Sequence, residues 1–169
     1  ITTFQAYLFW ENIEKNLQNL GLRLSSIREK TDLIVLPEMF STGFSMNPEQ
    51  LAEEMDGKTM KWMHQQAKKF DCVLTGSIIV KEDKKYLNRL IWMRPDGTYE
   101  YYDKRHLFGL GEEDKHYSSG NKKLFVELHG WKICPMICYD LRFPVWLRNV
   151  DEEYDMLLSK IVVVGTYLK

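Results

Sequence analysis

Apolar and polar positions along the chain follow two rhythms in turn. Ile1 to Tyr7 reads as a short first strand. From Glu11 to Lys30 the apolar residues Ile13, Leu17, Leu20, Leu24 and Ile27 recur in steps of four, three, four and three, one stripe along a helix. Leu33-Ile34-Val35-Leu36 is a continuous apolar run, the pattern of a strand buried on both faces, and Pro37 ends it. Thr59 to Phe70 returns to helical spacing through Met60, Met63, Ala67 and Phe70. Val73 to Val80 is rich in β-branched residues and reads as a strand.

The pattern then changes. Tyr86 to Met93 and Thr98 to Tyr102 flank Arg94-Pro95-Asp96-Gly97, whose residues favour a tight turn, so an antiparallel hairpin is expected. Leu107 to Asn121, with Gly109, Gly111 and Gly120, reads as a long loop. Leu124 to Leu128 and Trp131 to Ile137 form a second hairpin around His129-Gly130. Helix and strand alternation followed by hairpins predicts an α/β protein with a mixed sheet. No repeat, low-complexity tract or linker divides it, so residues 1–169 are read as one domain. Tyr154 to Leu158 begins another buried strand, which Ser159-Lys160 interrupts before the apolar run Ile161 to Val164. A mixed sheet that stopped there would leave a face or edge uncovered, so the expectation is a chain whose C-terminal part is missing.

Composition narrows the function. The 23 basic and 24 acidic residues leave a formal net charge of -1, against a general polyanion binder, and no nucleic-acid partner is expected. No apolar run approaches the ~20 residues that span a bilayer, so no membrane partner is expected either. Ile1 to Gln5 lacks the basic start of a signal peptide. Three cysteines, Cys72, Cys134 and Cys138, without a secretion signal indicate reduced thiols and a cytoplasmic setting.

Three residues stand where chemistry is usually placed. Cys138 follows the strand that runs to Ile137 and precedes polar Tyr139-Asp140. A side chain at the C-terminal end of a strand opens into the region where α/β sheets place reacting groups. It is either a nucleophile or a buried, inert thiol. Four residues of extended chain set Cys134 about 13 Å from Cys138, beyond disulfide reach. Glu38 follows the buried run and Pro37, so it is either a desolvated general base or a surface-loop carboxylate. Lys104 follows the Tyr99, Tyr101, Asp103 alternation, and is either an oxyanion donor or a solvated lysine. Glu112, Glu113 and Asp114 form an acidic run of the kind found on solvated faces. His106 or His116 could pair with a cysteine. The histidines lack metal-site spacing, and the nucleotide-loop and serine-elbow motifs are missing.

Taken together, Leu36-Pro37-Glu38-Met39-Phe40, Asp103-Lys104-Arg105-His106-Leu107-Phe108 and Ile137-Cys138-Tyr139-Asp140-Leu141-Arg142-Phe143-Pro144 resemble the nitrilase superfamily of carbon–nitrogen hydrolases. The order Glu, Lys, Cys and the strand context of each match. The run from Glu38 to Ser45 and the loop Gly111-Glu112-Glu113-Asp114-Lys115-His116-Tyr117 look most like the omega-amidase branch, which hydrolyses monoamides of 2-oxo dicarboxylic acids. The resemblance implies a nitrilase-like αββα sandwich with mixed sheets, incomplete here at the C-terminus. It implies attack by Cys138 to form a thioester, proton transfer by Glu38, and an oxyanion held by Lys104. It implies a second glutamate, best matched by Glu113 with Glu112 adjacent. Tyr139, Arg142 and Phe143 would help shape a pocket for a small-molecule amide. No metal or organic cofactor is implied, and the complete protein would be a homodimer.

Overall fold

The chain is described here from a computed structural model covering residues 1–160. Its organising element is β2 (Leu33–Val35), whose three residues are all buried. On one side it pairs in parallel with β1 (Thr2–Thr3), and on the other in parallel with β3 (Val73–Glu82). β3 turns back into β4 (Lys85–Met93) and β4 into β5 (Tyr99–Asp103), both antiparallel, which completes a five-stranded mixed sheet in chain order. A second sheet has the order β6 (Val126–Leu128), β7 (Trp131–Ile137) and β8 (Met156–Lys160). In it β6 runs antiparallel and β8 parallel to β7.

Alternation along the strands gives each face of the first sheet its own partner. On one face Ile34, Leu36, Leu74, Ile78, Ile91 and Met93 pack against Leu17, Leu20 and Leu24 of α1 (Ile13–Leu24) and Met60, Met63 and Ala67 of α3 (Lys58–Phe70). On the other, Leu33, Val35, Val73 and Trp92 meet Val126 and Ile133 of the second sheet. Each fully buried aliphatic side chain contributes about 1.5–3 kcal/mol, so both interfaces are strongly specified. The result is a helix layer over two stacked mixed sheets, as the nitrilase resemblance implied. α2 (Pro48–Leu51) and α5 (Pro144–Leu147) are single turns.

Several boundaries differ from expectation. The first strand is only two residues long, extended by one bond from Phe4 N–H to the Val35 carbonyl. α1 starts at its Asn12 cap, which accepts from Lys15 N–H. It stops at Ser25, where the Ser25 and Ser26 hydroxyls donate to the Gly21 and Arg23 carbonyls in competition with further helix. The 107–121 segment is not all loop: it holds a 3₁₀ turn, Gly109–Gly111, and α4 (Glu113–His116). Ser159 and Lys160 do not interrupt the last strand but lie within β8, paired with Met136 and Ile137. The run Ile161 to Val164 lies outside the described residues.

The segment that carries Glu38 is fastened to the first half of β3. Leu36 N–H donates to the Thr75 carbonyl, Phe40 N–H to the Ser77 carbonyl, and Met39 N–H to Ser77 Oγ. That close approach needs Gly76, because a Cβ there would lie 2.8 Å from Phe40 Cδ1 and 2.9 Å from Leu36 Cβ. Gly76→Ala should therefore destabilise the protein by about 1–3 kcal/mol, the usual cost of overpacking a core, read as a lower urea midpoint at unchanged m-value.

Candidate active site

Four polar side chains from distant parts of the chain meet at one end of the sheets. Glu38 lies in the turn after β2, Asn88 on β4, Lys104 just past β5 and Glu113 at the start of α4. All four are at most 2% exposed. Lys104 Nζ lies 2.7 Å from Glu38 Oε1 and 2.8 Å from Glu113 Oε2. Asn88 Nδ2 donates to Glu38 Oε1 at 2.8 Å and to Glu113 Oε1 at 2.9 Å, and Phe108 N–H donates to Glu113 Oε2 at 2.7 Å. Glu38 Oε2 is buried and has no hydrogen-bond partner.

The electrostatics follow from one cation between two carboxylates. Burial raises the Glu38 pKa above the ordinary carboxylate range. The Lys104 ammonium opposes that rise and the Glu113 charge adds to it. Burial works against the charge on Lys104, but Glu38 and Glu113 outweigh it and hold its pKa above the usual lysine value. An ammonium that stays charged at any working pH, beside a carboxyl poised to exchange a proton, is the arrangement of a proton-transfer site. Neither Glu38 nor Lys104 is the surface residue of the bland alternatives. Of the adjacent acidic pair, Glu113 reaches Lys104, whereas Glu112 is exposed and pairs with Lys115.

Cys138 follows directly on β7, as expected. It opens a 3₁₀ turn, Cys138–Arg142, with φ of 39°. The other strained apolar position is Met39, at φ 45° directly after Glu38. Neither residue type favours the left-handed region, so the surroundings must hold both turns. Asp140, fully buried, does so for the cysteine turn. It accepts from Ile137 N–H at 3.2 Å, Tyr102 Oη at 2.8 Å and His106 N–H at 2.9 Å, and its Oδ1 lies 2.9 Å from His106 Nδ1. These bonds fasten the Cys138 turn to residues on either side of Lys104. His106 is thus bound to Asp140 and stacks on Phe143 at 3.7 Å between ring centroids, while His116 is exposed.

Rings complete the connection. Lys104 Nζ sits 5.3 Å from the Phe44 ring centre, and Phe44 neighbours Phe108. Phe108 meets Tyr139 edge-on at 5.0 Å, and Tyr139 meets Phe143. Tyr139 and Phe143 therefore join a chain of rings that runs from the cysteine turn to Lys104, while Arg142 is exposed on the same turn. Sequence reasoning missed Asn88, Tyr102 and Asp140. The first two are strand residues without a chemical motif, although Asp140 lay inside a quoted motif. Among the described residues no cluster has the make-up of a metal site, and no helix is long and apolar enough to cross a membrane.

A glutamate–lysine–glutamate cluster thus lies at the end of two stacked mixed sheets, and the strained turn of Cys138 is fastened to the residues that flank its lysine. The model of the carbon-nitrogen hydrolase family matches residues 1–165. The chain belongs to that family. It is 40% identical over 158 residues to the omega-amidase YafV of Escherichia coli strain K12, covering 94% of this chain and 60% of that protein. It is 30% identical over 152 residues to the 2-oxoglutaramate amidase of Bacillus subtilis, covering 88% of this chain and 59% of that protein. Among solved structures, a CN-hydrolase superfamily protein from Xanthomonas campestris, with an arsenic adduct in its active site, superposes with a TM-score of 0.87 at 40% identity. That match covers 93% of this chain and 62% of the other. The chain thus spans about 60% of the length of these relatives.

Two outcomes follow from this geometry. Burial pushes the thiols of Cys72 and Cys134 up to about 11, so both are protonated near neutral pH and shielded. Iodoacetamide at pH 7.5 followed by peptide mass mapping should label Cys138 first, and equal labelling of all three cysteines in the folded protein would contradict that. Lys104→Met would leave two carboxylates sharing a buried site without a cation. It should cost about 3–5 kcal/mol near neutral pH in denaturant titrations, and less at pH 5, where the carboxyls can take up protons.

Proposed function

We propose that the protein carrying this chain hydrolyses the amide of a small molecule through a thioester on Cys138, with the terminal amide of a 2-oxo dicarboxylic acid as substrate. The observation that carries the chemistry is the division of labour within one carboxylate. Glu38 Oε1 accepts both the Lys104 and Asn88 bonds, while Oε2, buried and without a partner, is left to receive a proton.

In this reading the Cys138 thiol passes its proton to Glu38 as sulfur attacks the amide carbon. The carbonyl oxygen becomes an oxyanion. Lys104 has three N–H donors, of which Glu38 and Glu113 take two. The third is available to the oxyanion, where a fixed cation in a dry site is worth several kcal/mol. Collapse of the tetrahedral intermediate breaks the C–N bond, and Glu38 returns its proton to the departing nitrogen, which leaves as ammonia. Glu38 then takes a proton from water as the water attacks the thioester, and returns it to the cysteine as the carboxylic acid leaves. Glu113 keeps Lys104 charged and in place throughout. Tyr139 and Phe143 give the pocket an aromatic wall, and Arg142 supplies a cation near it for the substrate carboxylate. The substrate assignment rests on the names of the Escherichia coli and Bacillus subtilis relatives.

The test is ammonia release from 2-oxoglutaramate, with a nitrile and an N-carbamoyl amino acid as competing substrates. Faster turnover of either competitor would move the assignment elsewhere in the superfamily, and binding without turnover would make the protein a binding module. Glu38→Gln keeps the shape but removes the base, and should lower kcat by at least ~10²–10⁴-fold with the fold intact by circular dichroism. The pH dependence has a definite sign. A raised Glu38 pKa means that the base form accumulates only above that value, so kcat/KM should fall on acidification through a limb lying above the ordinary 4.5. A limb at or below 4.5 would remove Glu38 from the role.

A further inference from the structure

Asn88 carries neither a proton nor an oxyanion in the reaction proposed above, yet it touches every charged member of the cluster. It is fully buried on β4, and its main-chain carbonyl accepts from Lys104 N–H at 3.0 Å. Its single side-chain nitrogen bonds Glu38 Oε1 and Glu113 Oε1. A primary amide nitrogen has two hydrogens, so each carboxylate receives one. The other end of the amide, Oδ1, is buried and makes no hydrogen bond. Such an oxygen costs free energy comparable to a lost hydrogen bond, so the side chain is not placed here for its own satisfaction. Turning the amide over would satisfy neither end, because it would set Oδ1 against two carboxylate oxygens.

We propose that Asn88 is a positioning residue for amide hydrolysis: it clamps Glu38 and Glu113 at a fixed separation and leaves Glu38 with one free oxygen, so that the general base is one-sided. The inference rests on Glu38 being the base. Lys104 alone could not do this. A single ammonium between two carboxylates allows each to rotate about its last torsion and exchange oxygens. With Asn88 also holding Glu38 Oε1, both donors sit on the same oxygen, and rotation would break two bonds rather than one. The same amide bond favours the charged form of Glu38 and works against the rise caused by burial. Asn88 therefore acts on both the direction and the timing of proton transfer. Besides Lys104 and Glu113, the buried phenol of Tyr117 faces these carboxylates; it donates to the Ser45 carbonyl, and their charges add to the burial that raises its pKa. Arg89, the next residue on β4, is engaged with Glu82 and Asp103.

The experiment compares Asn88→Leu and Asn88→Asp with the parent protein. Asn88→Leu keeps the volume and removes both donors. It should lower kcat roughly 10²-fold, the cost of a misplaced reacting group, with KM little changed, and move the acid limb of kcat to higher pH. Asn88→Asp keeps the shape, turns donor into acceptor and adds a third carboxyl, so its limb should move in the same direction and further. A fall in kcat with an unmoved limb, or unchanged kcat, overturns the proposal. The Glu38 carboxyl can also be titrated directly by carbon-13 NMR on glutamate-labelled protein, its signal assigned with Glu38→Gln. That titration separates two failures. If the parent protein releases no ammonia from any amide, the hydrolase reading fails, while the NMR shift in Asn88→Leu still decides whether Asn88 controls Glu38. If Asn88→Leu does not fold, Asn88→Asp decides, and a Glu38 titration identical to the parent's rejects the clamp.

Discussion

The structure is built around a buried ammonium that cannot be left alone. Lys104 is 1% exposed, and an isolated charge at that depth would lose its proton or unfold the site. Two carboxylates within 2.8 Å keep it charged, but they bring their own difficulty, because the cluster then carries one negative charge more than it balances. Burial raises the pKa of Glu38, the Lys104 ammonium opposes that rise, and the excess charge of Glu113 adds to it. Each member needs a different stretch of chain to hold it: the Glu38 turn is tied to β3, Asn88 to its place in β4, Lys104 to the end of β5, and Glu113 to a one-turn helix. The five-stranded sheet is the frame that lets residues up to 75 positions apart, Glu38 and Glu113, share one lysine.

What was legible in the sequence was what local pattern controls. Leu33 to Leu36 announced a buried strand because every residue is apolar, and the Leu17, Leu20, Leu24 spacing announced the helix face that covers it. The turn at Arg94 to Gly97 announced a hairpin, and β4 and β5 pair as expected. Boundaries set by tertiary contact were less visible. The first strand shrank to two residues because its pairing with β2 runs out after Thr3 and a last bond from Phe4 N–H, with no pattern to mark where it stops. Ser159 and Lys160 read as an interruption because polar residues in a strand resemble loop residues when its neighbour is not known.

The site divided along the same line. Glu38, Lys104 and Cys138 were visible because each stands next to a strand end, and their order carried the resemblance. Glu113 was half visible: an acidic run normally faces water, and only the left-handed Glu112 at φ 61° sends the two side chains in opposite directions. Asn88 was invisible, since one asparagine within Tyr86 to Met93 reads as an imperfection in a strand. Its meaning lies in two carboxylates that arrive from residues 25 and 50 positions away. Residues that hold catalytic groups are harder to read than the groups themselves because they need no reactive chemistry, only the right place.

The cysteine turn shows the same constraint from the other side. A thiol at φ 39° is held in a conformation the chain does not favour, and the restraint comes from Asp140, two residues on. The partners of Asp140, Tyr102 and His106, bracket Lys104 in the chain. The buried aspartate thus ties the turn of Cys138 to the segment that carries Lys104. Its bonds are short and numerous, and Tyr102 is itself buried, accepts from Trp146 Nε1 and has its pKa raised by burial and by the Asp140 charge, so the phenol remains a donor. Two polar networks therefore meet at residues 102–106: one joins Glu38, Asn88, Lys104 and Glu113, and the other holds the turn of Cys138. A small displacement of that five-residue segment would disturb both at once; its start belongs to β5, and the bond from Gly120 N–H to the Lys104 carbonyl helps hold its middle in place.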